Sequence, residues 1–276
     1  MSRATDVVAA AADTTRIAPP ALFGRRPLAI IERNVLAYRR MWMPFVSGFA
    51  EPFLYLASIG IGVGALVGDV SGPGGELVSY QQFVAPALFA VAAMNGAVMD
   101  TTFGFFVKFK YGKTYDAILV TPLDVGDVAV GEVAWAVIRG AVYSAAFLLA
   151  MVAFGLVASW WTLLALPAAM LVAYAFAGAG LGASTFMRSF VDFDFISLAI
   201  VPSFLFSATF FPLEQYPGWL EVVVQVTPLY QGVALSRALV IGDPSWGLLA
   251  HVAYLGAMGT IGTLVASRRL RRLLQP

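Results

Sequence analysis

The chain contains no cysteine and a single histidine, His251. Disulfides and thiolate metal sites are therefore excluded, as is a multi-histidine metal centre within one chain. Charge is scarce as well: 12% of the 276 residues are charged and 60% are hydrophobic, where a soluble domain carries about 25% charged residues. With a mean hydropathy of +0.81 there is too little polar surface to coat a soluble globule, so lipid must be the solvent for much of the chain. A net charge of +1 gives no footing for nucleic acid. No G-x-x-x-x-G-K-[ST] phosphate loop occurs, so this chain does not bind and split ATP by that route. Nor is there a His/Asp/Ser or metal constellation of the kind a membrane-embedded enzyme needs.

Long apolar runs are what the chain has in place of these. Six segments, near 44–67, 82–106, 129–156, 161–185, 195–211 and 247–267, each run for about 17–28 residues, near the length a helix needs to cross ~30 Å of hydrocarbon. They do not alternate polar and apolar residues, which argues against a barrel. The expected fold is all-α: a polytopic membrane protein with six transmembrane helices. Arg and Lys sort by loop. The stretch before the first run holds Arg3, Arg16, Arg25, Arg26, Arg33, Arg39 and Arg40; the loop near 68–81 holds none; the next holds Lys108, Lys110 and Lys113; the turn near 157–160 none; the next Arg188; the loop near 212–246 only Arg237; and the tail Arg268, Arg269, Arg271 and Arg272. This alternation places both termini in the cytoplasm.

Outside the spans, residues 1–26 read as a disordered cytoplasmic tail, because no continuous apolar core follows Arg3 as a signal peptide would require. Residues 27–42 read as an amphipathic helix on the inner leaflet, with Leu28, Ile31, Val35, Tyr38 and Trp42 on one face and Arg33 and Arg40 opposite. It suits a juxtamembrane anchor, a connecting helix that touches a cytoplasmic partner, or both. Residues 107–125 are basic, too polar to span, and open like a short amphipathic helix closed by Thr121-Pro122. Residues 212–241 form two short helices broken at Pro228, too short to cross, which suggests a re-entrant hairpin on the outer side. Pro212, Pro217, Gly218, Trp219 and Pro228 would shape this outer gate.

An unpaired charge at the bilayer centre costs about 2.5–3.5 kcal/mol or more, so Glu51, Asp100, Glu132 and Arg139 are expected to form an intramembrane ion network. At ~1.5 Å per residue, Asp100 and Arg139 sit roughly 10 and 15 Å deep on consecutive antiparallel spans, with Glu51 at similar depth. Either a structural role or a role in coupling or head-group contact fits. Gly60, Gly64 and Gly68, and again Gly178 and Gly182, have the spacing that lets helix backbones approach, within the chain or across a dimer. Asp192 and Asp194 suit the N-terminus of the fifth span. His251 is expected at the outer interface.

Taken in order, Glu51-Pro52-Phe53-Leu54-Tyr55-Leu56, the run from Lys113 to Leu123 (KTYDAILVTPL), Gly131-Glu132-Val133-Ala134-Trp135, the run from Phe204 to Leu213 (FLFSATFFPL) and Thr227-Pro228-Leu229-Tyr230 resemble the permease subunits of ABC-2-type exporters. The branch is that of the nodulation lipo-oligosaccharide exporter permeases. The resemblance covers nearly the whole chain after residue 27, which makes 27–276 the transmembrane domain. It implies a half-transporter in the bacterial cytoplasmic membrane that pairs with a second permease chain, identical or sibling. It also implies two separate ABC ATPase subunits, which bind the ATP and Mg; no cofactor is expected in this chain. Residues 107–125 then become the coupling segment, with Lys113, Thr114, Tyr115, Asp116, Ile118 and Leu119 facing the ATPase. Asn95, Met99, Phe103, Ser203, Phe206, Ser207 and Phe210, on the second and fifth spans, become the pathway-lining residues. A secondary transporter is the rival class; it should show inverted repeats with broken helices, and no such symmetry is visible.

Overall fold

The computed structural model describes residues 26–39, 54–58, 62–72 and 75–274. Glu51, Trp42, Gly60, residues 1–25 and more than half of the expected first span lie outside the described residues. The principal helices are α1 (Arg26–Tyr38), α2 (Tyr80–Met99), α3 (Thr114–Leu119), α4 (Val125–Ala153), α5 (Ala165–Ser184), α6 (Phe193–Leu205), α7 (Gly218–Val226), α8 (Pro228–Ile241) and α9 (Leu248–Leu274). A small antiparallel ribbon departs from the all-α expectation: β1 (Asp69–Ser71) pairs with β2 (Leu77–Ser79), Val70 opposite Val78. Among the described residues four helical stretches are long and apolar enough to cross a bilayer: 80–111, 125–153, 160–184 and 248–274.

Helix α2 is the hub. Ser79 starts it with a reciprocal cap: Ser79 Oγ accepts from the Gln82 N–H at 3.3 Å, and Gln82 Oε1 accepts from the Ser79 N–H at 3.2 Å. Every residue from Phe83 to Met94 is buried, against α4, α5 and α8. Beyond Met99 the helix does not stop. Two π-type turns, Asp100–Gly104 and Val107–Tyr111, carry it to Tyr111. Thr101 and Thr102 offer a local cause, since their hydroxyls donate to the carbonyls of Ala97 at 3.0 Å and Val98 at 2.6 Å and so loosen the backbone ladder.

The most extensive helix pair is α5 with α9. A Cβ built on Gly178 would fall 2.2 Å from Gly259 O, and one on Gly262 would fall 2.3 Å from the Gly178 carbonyl carbon. Only glycine allows backbones that close. The Gly178/Gly182 stripe therefore packs within the chain. Of the other stripe, Gly64 faces Gln81 and Gly68 meets nothing within 4 Å.

The fifth apolar run is shorter as a helix than its sequence suggests. It was expected over 195–211, but α6 ends at Leu205, where the Phe206 N–H bonds Pro202 O at 2.8 Å. Ser207 to Phe211 then turn away, with Ala208 at φ 53°. The 13 residues of α6 reach only about 20 Å. None of them is buried.

Helices α7 and α8 meet at Thr227-Pro228, and α8 is the buried member, packed on α2, α5 and α9. The two ends of the bundle differ in charge. At one, Arg271 pairs with Asp124 at 2.8 Å and Arg269 lies over the Phe186 ring at 3.6 Å; Lys108, Lys110, Lys113 and Arg188 belong to this basic end. At the other, His251 and Gln231 share a hydrogen bond between α9 and α8.

Candidate functional site

Toward the basic end, buried polar side chains from α1, the extended α2, α3 and α4 converge. Asp100 Oδ1 accepts from Arg139 Nη1 and from the Tyr38 hydroxyl, the latter at 2.6 Å. Arg139 Nη2 donates to the Tyr143 hydroxyl at 2.6 Å, and the guanidinium lies 5.1 Å from the Tyr38 ring. Two turns earlier on α4, Glu132 is 1% exposed. Its Oε2 accepts from Lys108 Nζ at 2.5 Å and from Asn34 Nδ2 at 3.3 Å, and its Oε1 accepts from the Tyr115 hydroxyl at 3.0 Å. Arg33 Nη1 in turn donates to Asn34 Oδ1 at 3.0 Å. A buried carboxylate persists only with such partners. Three donors on Glu132 therefore lock three other elements onto α4.

Helix α1 contributes Asn34 and Tyr38, four residues apart and so on one face. Ile30, one turn earlier, seats the same face: a Cβ on Gly131 would fall 2.6 Å from Ile30 Cβ. Leu28 and Val35, expected on the apolar face with Tyr38, are exposed and left to lipid.

The coupling segment was expected to open as a helix at residue 107. It instead continues α2 to Tyr111, breaks at Gly112 and Lys113 (φ 44°), and restarts as α3. Lys113 and Asp116 are exposed; Thr114, Ile118 and Leu119 are half-buried. Tyr115, expected on the contact surface, is 1% exposed, stacked on Phe105 at 5.1 Å. Its side chain holds α3 to the bundle and is not available to a partner. Burial and the Glu132 carboxylate push the Tyr115 hydroxyl well above its usual pKa, so it stays a proton donor throughout the physiological range. Thr121 Oγ1 donates to Ile118 O at 2.6 Å and closes the helix.

The seven pathway residues do not converge on one surface. Met99 and Phe103 are exposed on α2, where Phe103 packs on Phe190 and Phe193; Asn95 is half-buried. Ser203 lines a groove of about 690 Å³ beside α6. Ser207 is buried, bonded to Thr209 at 2.7 Å; Phe206 is exposed; Phe210 lines a smaller cavity of about 400 Å³ with Pro212. Of the outer-gate residues, Pro212 is buried, Pro228 half-buried, and Pro217, Gly218 and Trp219 exposed. Asp192 accepts from the backbone N–H groups of Arg188 and Ser189, ahead of α6.

With this geometry in place, comparison with known proteins is decisive. Residues 27–241 match the ABC-2 type transporter family. The chain belongs to that family. It is 30% identical over 258 residues to "Nodulation protein J" of Rhizobium meliloti (strain 1021), covering 90% of this chain and 94% of the relative. It is 32% identical over 250 residues to "Nodulation protein J" of Rhizobium leguminosarum bv. trifolii, covering 90% and 93%. It is 26% identical over 216 residues to "Inner membrane transport permease YadH" of Escherichia coli (strain K12), covering 77% of each. This ABC-2 chain is an integral membrane protein and the membrane subunit of an ABC transporter, and its family implies an ABC ATPase partner.

Reading the ABC-2 sequence alone missed several members of the network. Tyr143 lies one helical turn from Arg139, a spacing that was open to inspection. Asn34 and Tyr38 were also in view, but Tyr38 was grouped with Leu28 and Val35. Lys108 reads as a basic loop residue, because nothing in the sequence announces that α2 runs on past Phe106. Arg237 looked like a loop residue. It is buried, donating from Nε to Phe83 O at 3.2 Å and from Nη2 to Ala208 O at 2.8 Å, with the Phe83 ring 3.8 Å away.

Proposed function

We propose that this subunit is a half-transporter that exports an amphipathic substrate (a lipid, a glycolipid such as a lipo-oligosaccharide, or a drug) across the cytoplasmic membrane. Two permease chains, identical or sibling, frame the pathway, and two separate ABC ATPase subunits bind ATP and Mg and drive it. Six spans with both termini in the cytoplasm fit the alternation of Arg and Lys between loops. The Escherichia coli relative is named an inner membrane transport permease, which supports the inner membrane as the location. Residues 212–241 form a re-entrant hairpin that caps the exit.

The observation that carries the reading is the tether of α3. A force on the exposed side of α3, where Asp116 projects, reaches Glu132 through Tyr115, and from there α1 through Asn34 and α2 through Lys108. The arrangement gives a soluble motor a handle on three membrane elements at once.

The test is co-expression with candidate ABC ATPases, purification, and a screen of amphipathic compounds for stimulated ATP hydrolysis in proteoliposomes. A co-purifying ATPase whose turnover rises with a transported compound supports the proposal. Transport by the permease alone, driven by an ion gradient without ATP, would replace it with secondary transport.

A further inference from the structure

Asp100 and Lys108 lie eight residues apart on the extended α2, while their partners Arg139 and Glu132 lie seven residues apart on α4. The mismatch matters, because a regular α-helix turns about 100° per residue. Seven residues return a side chain to within about 20° of its starting face, and eight leave it about 80° away. With Asp100 facing α4, an unbroken α-helix would turn Lys108 off that face.

The π-type turn Asp100–Gly104 sits between the two ions, closed by the Phe105 N–H on Asp100 O. A five-residue bond in place of a four-residue one takes up one extra residue. Eight residues of α2 then advance as seven, and both ions face α4 together: Lys108 Nζ reaches Glu132 Oε2 at 2.5 Å while Asp100 holds Arg139. The neighbours accommodate the turn. The Thr101 and Thr102 hydroxyls donate to the carbonyls of Ala97 and Val98 just ahead of it. On α5, Gly180 leaves it room, since a Cβ there would fall 2.7 Å from Thr101 Oγ1.

A π turn is a rare alternative to the α-helix and is often found at functional sites. Here an ion pair on each side of the turn fixes the register. Opening of the Lys108–Glu132 pair frees the extra residue to rejoin the α-helix. The segment beyond the turn would then rotate by about 100°, and Val107 would come to face Glu132 in place of Lys108. We propose that residues 100–104 are a register switch with these two settings. Tyr115 of α3 donates to the same Glu132 carboxylate, so a displacement of α3 acts directly on the group that holds the switch. This use of the switch rests on the reading of α3 as the coupling element; the register match does not.

Removing one residue tests the register without any ATPase. Deletion of Phe103, an exposed residue of the turn, should leave a regular α-helix with both ion pairs in phase. The purified chain should keep its size-exclusion peak and melt with Phe103→Ala, which loses the same side chain but keeps the residue count. Deletion of Ala92, in the buried regular part of α2, rotates everything beyond it by about 100° and should abolish the folded peak. Loss of the peak on deleting Phe103, as on deleting Ala92, overturns the register match.

Cysteine pairs read the switch, since the chain has no cysteine of its own. Glu132→Cys opens the Lys108 pair and reports on the result. It should form a disulfide severalfold faster with Val107→Cys than with Lys108→Cys. Deletion of Phe103 should reverse that order, and Phe103→Ala should not. An order unaffected by the deletion overturns the switch. In the complex with its ATPase, where Glu132 is kept, the chain lacking Phe103 should show severalfold less substrate stimulation of hydrolysis than Phe103→Ala; equal stimulation overturns the switch as well. A parent chain that binds no ATPase would sink the proposed function and leave the cysteine pairs to decide the switch.

Discussion

The Tyr115 hydroxyl donates to Glu132 Oε1 at 3.0 Å, fastening the short helix α3 to the body of α4. Glu132 also accepts from Lys108 and Asn34, so one carboxylate ties four chain segments together. On the proposed reading of α3 as the coupling element, it needs to be held firmly enough to transmit a displacement, and a charge-assisted bond in a buried setting is a stiff connection. The Phe105 and Phe109 rings beside Tyr115 exclude water from it.

Tyr115→Phe keeps the ring and removes only the donor. A hydrogen bond to a charged group contributes about 1.5–3 kcal/mol, so the variant should still fold but unfold at lower temperature in detergent. In a complex with its ATPase, substrate stimulation of hydrolysis should drop while the amount of bound ATPase stays the same. Asp116→Ala, on the exposed side of α3, should show the reverse pattern, with weaker ATPase binding and an unchanged melting temperature. Identical behaviour of the two variants would contradict the division between tether and contact surface.

Arg139 and Asp100 form the second node of the network. Removing one partner of a buried pair costs about 3–5 kcal/mol, because the other charge is stranded. Arg139→Leu should therefore be worse than Arg139→Leu combined with Asp100→Asn, measured as the fraction of chain surviving heating on fluorescence-detected size exclusion. Strictly additive losses in that cycle would mean the two do not interact.

That pair was legible in the sequence because lipid leaves a charge few options: Asp100 and Arg139 sit at matching depth on neighbouring antiparallel runs. Glu132 was recognised as needing a partner, but its partners depend on features the pattern hides. The π turns after Met99 reset the helical phase and carry Lys108 onto α4, and apolar periodicity does not register that shift. The end of α6 was hidden for a similar reason. Residues 206–211 remain largely apolar, so composition extends the span, while the chain leaves the helix after Leu205 and turns through the left-handed Ala208. Basic loops, by contrast, obey a rule that acts residue by residue, and Asp124 with Arg271 shows two of those loops meeting at one end.

The α5–α9 seam predicts a contrast between two glycines. Gly178→Ala drives a methyl into Gly259 O, built at 2.2 Å, whereas Gly256→Ala meets nothing within 4 Å. The first should cost about 1–3 kcal/mol of stability, as overpacking typically does, and so lower the melting temperature; the second should be neutral or slightly stabilising. Equal tolerance of both would show that the seam opens freely.

Topology is open to direct labelling, since any introduced cysteine is the only one in the chain. Ser71→Cys and Gln215→Cys should react with an impermeant maleimide on intact cells, and Lys113→Cys should react only after the membrane is opened. Reaction of Lys113→Cys on intact cells would invert the assignment of the basic end to the cytoplasm.

Arg237 yields the last prediction. It bonds Phe83 O and Ala208 O, joining α2 to the turn in which Ala208 holds a left-handed conformation at φ 53°. Arg237→Met keeps much of the buried bulk and removes both donors. Each carbonyl left without its partner costs about 1–3 kcal/mol, and that cost falls on the 206–211 turn in preference to the α2 backbone, which retains its own helical bonds. Thr209 is buried beside this turn. Thr209→Cys should react slowly with a maleimide in the parent background and about 5- to 150-fold faster with Arg237→Met, the factor that 1–3 kcal/mol of easier opening implies. An unchanged rate would show that the turn is held by α8 packing alone, and that Arg237 does not act as its clasp.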